Sequence, residues 1–347
     1  MRIKQHIQDL ENLPEPRKTF MEIMKVHKSE VHFANLLAYF FRSEESHALG
    51  NVFIKALLMT NCYSLDLNNK NSQTLLSNTK RKLIKNTNGD FSLQLNNSDS
   101  TIEKYIDNSN PISVKVEDPT LKSNQKNKRI DLLLTSDKCV ICIEFKLNHD
   151  LNNPLATYQE HIIKMEEEFQ AKHNKQRDLF FIVLTPYKKL PSTEVQRFIE
   201  KYDGKANAFS QVILSHFFKN IIEAIPAKYF IEATKNQNVD YLIDLIQTTA
   251  NRSIYHKRNE ILNWFYLHIV KSYSNITYHV SKGFIELKLS DFNIKLRFLD
   301  NRHIQIEKWS TGNHLELKLN PIKLSNPNVL EFTLATVNKL INDSQLK

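Results

Sequence analysis

The chain has 347 residues, 41% hydrophobic and 24% charged, ordinary proportions for a globular protein with room for one large or two modest cores. Its 47 Lys and Arg against 38 Asp and Glu give a net charge of +9, which suits a polyanionic partner without identifying one. Three cysteines exclude a disulfide scaffold, and with five glycines there is neither a Walker A nor a Gly-x-Gly-x-x-Gly phosphate loop.

No apolar run approaches the roughly 20 residues of a membrane-spanning helix. Met1–Leu10 mixes charges throughout and has no signal-peptide core. A cytoplasmic location with no membrane partner is expected.

Residues 1–28 read as a polar helical lead-in. Ser29 has the chemistry of an N-cap, and Phe33, Leu36, Leu37, Phe40 and Phe41 follow it at helical spacing. Glu30 falls in the first turn, where the helix dipole favours a carboxylate. His47 and Gly50 read as turn residues ahead of a second amphipathic helix, Asn51–Met59. From 60 to 110 the chain is rich in Asn, Lys, Ser and Asp, an insertion of loops around a basic helix at Thr74–Lys85. Its Lys80, Arg81, Lys82 and Lys85 form a solvated face or meet phosphates. Ile112–Val116 alternates as a strand. The loop after it is basic through Lys122, Lys126, Lys128 and Arg129, and Lys128 and Arg129 are candidate substrate contacts.

Two apolar runs come next, Ile130–Leu134 and Cys139–Phe145, separated by a polar Thr-Ser-Asp-Lys break. Their length and β-branched or aromatic content predict a hairpin. Side chains alternate along a strand, so Cys142, Glu144 and Lys146 share one face. An antiparallel register that puts Asp131 near Glu144 is available. Burying two carboxylates at the end of an apolar hairpin is costly unless they pair or bind a cation. An isolated Glu-x-Lys is ordinarily a strand-end salt bridge; with Asp131 opposite, the group suits metal-assisted phosphodiester hydrolysis. Hard carboxylate oxygens suit Mg²⁺ or Mn²⁺, and a neighbouring lysine can position the attacking water. Cys139 and Cys142 are three apart and point to opposite faces, so they read as packing.

Asn153 and Pro154 suit the cap and first position of a helix running from Leu155 to about Gln176. Glu166–Glu168 reads as its solvated face. Asp178–Thr185 is the most apolar strand in the chain, and a strand–helix–strand crossover gives the hairpin a parallel partner. Residues 192–202 and 208–224 read as helices. Beyond 227 come helices over Asp240–Ser253 and Arg258–Ser272, five alternating strands between Thr277 and Leu319, and a closing helix, Asn326–Ile341.

The order helix, strand, strand, strand, helix, strand, with Asp131 on one hairpin strand and Glu144-Phe-Lys146 ending the other, resembles the PD-(D/E)xK nuclease superfamily. Ile130 stands where its proline is usual. The likeness is closest to a branch associated with mobile elements and phage defence. Its features match Glu30–Phe41, His47–Phe53, Arg129–Leu134 and Ile143–Lys146; of its Gln-Leu-x-x-Tyr, Leu155 and Tyr158 remain while Pro154 replaces the Gln.

The resemblance implies an α/β fold: a restriction-endonuclease-like α-β-β-β-α-β core, its mixed sheet flanked by helices, with a C-terminal α+β module. The nuclease domain is expected over 1–226, with an insertion near 60–110. Residues 227–347 are expected to bind, dimerise or regulate. Asp131, Glu144, Glu30 and the Phe145 backbone carbonyl become candidate ligands of Mg²⁺ or Mn²⁺. Lys146 joins Asp131, Glu144 and Glu30 in the catalytic group, and Tyr158 becomes a candidate either for contact with the substrate or for support behind the ligating residues. The expected activity is DNA cleavage, internal or from ends, in anti-phage defence or DNA processing. The alternatives are a catalytically silent nucleic-acid-binding subunit and an RNA-cleaving toxin on the same site. Expected partners are DNA or RNA, a second copy of the chain, and a partner protein or trigger in a defence operon.

Overall fold

A computed structural model describes residues 2–13, 15–27, 29–47, 49–65, 73–96, 102–105, 111–119, 129–147, 155–186, 208–225, 237–273, 277–281, 284–312 and 314–345. They fall into two compact units. One comprises residues 18–249, and the other joins 1–17 to 250–347. The sequence division near 226 therefore differs from the division by contacts. α1 (Arg2–Glu11) buries Ile7 and Leu10 among residues of the C-terminal unit.

In the unit of residues 18–249, α2 (Phe20–Ile23) precedes α3 (Glu30–Phe41) and α4 (Val52–Leu58). Ser29 caps α3 as its chemistry predicts, its hydroxyl accepting the His32 N–H at 3.4 Å. His47 does more than turn the chain. Its ring is buried, with Nδ1 accepting the Leu49 N–H and Nε2 2.9 Å from the Arg42 carbonyl. Gly50, at φ +53°, takes the left-handed conformation that a Cβ disfavours.

The insertion is built of β1 (Asn61–Ser64), β2 (Gln73–Leu75), β3 (Arg81–Lys85) and β4 (Phe91–Leu95). This overturns the basic helix predicted over Thr74–Lys85, which is strand, a short 3₁₀ turn over Leu76–Thr79, and strand. β3 and β4 pair from Arg81↔Leu95 to Lys85↔Phe91, and Leu83 is the buried residue of β3. Cross-strand pairing outweighs the helical propensity of its lysines.

β5 (Ser113–Pro119), β6 (Arg129–Thr135), β7 (Cys139–Phe145), α5 (Leu155–His173), β8 (Asp178–Thr185), β9 (Ser210–Ile213) and α6 (Leu214–Ala224) complete the core. Among the described residues nine strands make a mixed sheet with the central order β2-β1-β9-β8-β7-β6-β5. β5, β6 and β7 run antiparallel, and α5 is the crossover that sets β8 parallel to β7. Alternation sorts the side chains cleanly. Cys139, Ile141, Ile143 and Phe145 pack with Phe33, Leu37, Phe53 and Phe217 from α3, α4 and α6. Val140 and Cys142 join Leu155, Tyr158 and Ile162 of α5. Both cysteines are buried, and burial pushes the Cys139 thiol up to about 11, consistent with a packing role.

The helix predicted over 208–224 begins only at Leu214. Ser210–Ile213 is a strand because this short run, buried at every position, extends the sheet beside β8. Glu166 is not on a solvated face. It is fully buried and accepts hydrogen bonds from the Arg177 backbone N–H and Nε, both at 2.8 Å. The predicted helix at 192–202, the cap at Asn153–Pro154, and Lys122, Lys126 and Lys128 lie outside the described residues.

The two helices expected over 240–272 are one, α7 (Gln237–Ser272). Ile254–Lys257, between them, holds neither Gly nor Pro to break the ladder. In the C-terminal unit, β10 (Thr277–Ser281), β11 (Phe284–Lys288), β12 (Phe292–Phe298), β13 (His303–Ser310) and β14 (Leu315–Lys318) form an antiparallel meander. β15 (Ile322–Lys323) pairs with β13. Its core sets Ile285, Leu287, Ile294, Leu296, Ile304 and Ile306 with residues of α7 and of α8 (Val329–Gln345).

Candidate active site

The hairpin register Leu132↔Ile143 puts Asp131 and Glu144 opposite one another on the α5 side of the sheet. Asp131 Oδ2 accepts the Phe145 N–H at 2.8 Å, tying its side chain to the neighbouring strand. Lys146 follows the end of β7, and its backbone N–H bonds to the Leu184 carbonyl at 2.9 Å, holding it beside β8. Its Nζ donates to Glu144 Oε1 at 2.6 Å and to the Phe145 carbonyl at 2.6 Å, and reaches Glu30 Oε2 at 3.4 Å. The other oxygen of Glu30 accepts the Leu147 N–H at 3.0 Å. Glu30 is therefore more than a favourable charge on the α3 dipole. It bridges that helix to the chain leaving β7 and to the ammonium.

One ammonium faces three carboxylates in a place largely removed from water. Glu144 is 0% exposed and Lys146 3%. Burial, then the adjacent Asp131 charge, raise Glu144 well above the ordinary carboxylate range, and Lys146 offsets only part of this. Asp131 is also raised, by burial first, with the Phe145 N–H and Lys146 opposing. Burial pulls Lys146 down, but Glu144, Glu30 and Asp131 outweigh it and hold the ammonium charged. Like charges side by side in a low dielectric favour neutralisation by a proton or a further cation.

Among the described residues no group of three or more His, Cys, Asp and Glu side chains is arranged to hold a metal. The donor chemistry nonetheless fits Mg²⁺ or Mn²⁺. The Asp131 and Glu144 carboxylates and the Phe145 carbonyl supply hard oxygens on one hairpin end. Such ions complete their coordination with water and substrate rather than a full protein cage.

The other expected residues are placed differently. Tyr158 is buried on the same side of the sheet, in the cluster that holds Cys142 and Val183. Arg129, at the outer end of β6, is exposed and pairs with Glu117 at 2.8 Å. Lys82 and Lys104 pair instead with Asp178, at 2.6 and 2.5 Å, at the start of β8.

Sequence reasoning missed a polar pair on the site's face. The registers Glu144↔Val183 and Val183↔Gln211 place Gln211 in the same cross-strand row as Glu144. Gln211 Nε2 donates to Thr185 Oγ1 at 3.1 Å, and both residues are buried. A strand reading of Ser210–Ile213 would have put Gln211 in that row; the helix reading hid it.

Compared with curated proteins and with solved structures, the chain has no significant match. The family model of the PD-(D/E)XK nuclease superfamily matches residues 19–271, a span that contains Glu30, Asp131, Glu144, Lys146 and the whole mixed sheet. The chain belongs to the PD-(D/E)XK nuclease superfamily.

Proposed function

We propose that the chain hydrolyses DNA phosphodiester bonds with Mg²⁺ or Mn²⁺. The observation that carries this reading is the pairing of Asp131 and Glu144 on adjacent strands, with Lys146 2.6 Å from Glu144. Asp131, Glu144 and the Phe145 carbonyl would hold the ion, with Glu30 supporting them. When bound, such an ion polarises a phosphoryl oxygen and lowers the pKa of a coordinated water. Lys146 orients the attacking water and stabilises charge on the phosphoryl group. Glu30 fixes the backbone at Leu147 and thereby aims the preceding lysine. Asp131, bonded to the Phe145 N–H, sets the distance between the hairpin strands where the carboxylates meet. Tyr158 supports the substrate side from α5, with Arg129 and Lys128 at the entrance to β6 as phosphate contacts.

We assign the activity to anti-phage defence or DNA processing in the cytoplasm, on the likeness of Arg129–Leu134 and Ile143–Lys146 to the defence-associated branch. Double-strand cutting would call on a second copy of the chain, and a trigger or partner protein would restrain it. Residues 227–347 are assigned to those contacts.

The test is cleavage of end-labelled DNA, and of RNA with the same sequence, with Mg²⁺, Mn²⁺ or EDTA. Asp131→Ala and Lys146→Ala should each lower DNA cleavage by about 10³-fold or more while circular dichroism stays native. Full activity in EDTA or in either variant would refute the metal mechanism. Cleavage confined to RNA would give the site to the toxin reading, and metal binding without cleavage to the silent one.

A further inference from the structure

The position of Lys146 has a consequence for how the site is charged. An ammonium has three hydrogen-bond donors and no acceptor. Here Nζ lies 2.6 Å from Glu144 Oε1, 2.6 Å from the Phe145 carbonyl and 3.4 Å from Glu30 Oε2. Two of these oxygens belong to the set offered above to a divalent cation, and the third belongs to its supporting carboxylate. A compact point charge on a flexible stem is well suited to occupy such a place and to leave it.

We infer that the Lys146 ammonium and a divalent cation compete for the Glu144 and Phe145 oxygens, so that Lys146 is an internal counter-ion which must leave them as the site is loaded. The inference rests on the proposed metal reading and deepens it. Lys146 leaves the Glu144 and Phe145 oxygens and stays tethered through its own backbone N–H to Leu184. The site thus trades one positive charge for two, easing the repulsion between Asp131 and Glu144. The freed lysine is then available to the water or the phosphate. Lys146 in this sense is a positioning residue with two stations, of which the structure shows the first.

The sign of the effect separates this from ordinary damage. Removing a residue that merely supports a metal site weakens binding; removing a competitor strengthens it. The experiment is Mn²⁺ titration by calorimetry of the full chain, comparing wild type with Lys146→Met, Lys146→Gln and Lys146→Arg. Both neutral variants should bind Mn²⁺ at least about tenfold more tightly than wild type, and Lys146→Arg should not. Equal or weaker binding by the neutral variants, with wild-type binding intact, overturns the inference alone. No binding by any of the proteins overturns the metal reading and the inference with it. Should the neutral variants fail to fold, acylation of wild-type Lys146, read by mass spectrometry with and without Mn²⁺, decides. Labelling that rises with Mn²⁺ supports the exchange, and labelling that does not change overturns it.

Discussion

Glu30 illustrates how a single side chain acts through two atoms. One oxygen holds the Leu147 N–H and the other faces the Lys146 ammonium. Glu30→Gln retains an acceptor for Leu147 and loses the charge, whereas Glu30→Ala loses both. Residues that orient others at a metal site are typically worth about 10–100-fold. The alanine variant should fall in that range and the glutamine variant should retain more; identical rates in both would show that only the charge matters. Asp178 is the contrasting case, a charge with a structural task at the opposite end of β8. Burial raises its pKa, but Lys104, Lys82 and Tyr105 outweigh burial and hold it below the usual carboxylate range. A depressed carboxylate contributes stability above its unfolded pKa, about 3.9, and loses it as the pH falls through the folded value. Asp178→Asn should therefore lower the melting temperature at pH 7 and narrow its gap to wild type as the pH approaches 3. A gap that stays constant over that range would mean that the ion pairs contribute nothing.

At the scale of elements, the β6–β7 hairpin and the α5 crossover were legible because their signals are local. Alternation, a polar turn and two apolar runs fix the hairpin, and the same alternation puts Glu144 and Lys146 together. Glu166 was not legible. Three consecutive glutamates look solvated, and only the packing of α5 reveals that one of them meets Arg177 under the start of β8. Arg177 also lies 3.9 Å over the Phe169 ring, so the pair is enclosed on several sides. Glu166→Ala should cost about 3–5 kcal/mol, as removal of one member of a buried pair does, read by urea denaturation; a loss below about 1 kcal/mol would contradict that burial. Gln211 escaped notice for a different reason. A four-residue segment carries no period long enough to separate strand from helix, and the choice depends on β8 and β1 lying on either side of it. Glu30 was raised above a helix-dipole charge only by the family resemblance, because its partners at Lys146 and Leu147 lie 116 and 117 residues away.

At the scale of the whole molecule, the two units have separate hydrophobic cores, one of them split between the two faces of the mixed sheet. Phe265, fully buried in the C-terminal unit, should cost that unit about 3–5 kcal/mol when truncated to alanine. Calorimetry should show one transition shifted and Mn²⁺ affinity unchanged; loss of metal binding at temperatures where the first unit remains folded would reveal coupling between them. Among the described residues no helix is long and apolar enough to cross a membrane. The bond from Leu147 to Glu30 joins residues 117 apart in the chain, and the Phe41–Phe217 stack, 6.0 Å between centroids, closes a still longer loop. Translation delivers roughly 5–20 residues per second, so these pieces leave the ribosome many seconds apart. A growing chain thus carries Asp131, Glu144 and Lys146 for some seconds before Phe217 arrives to close the core against the helix that bears Glu30.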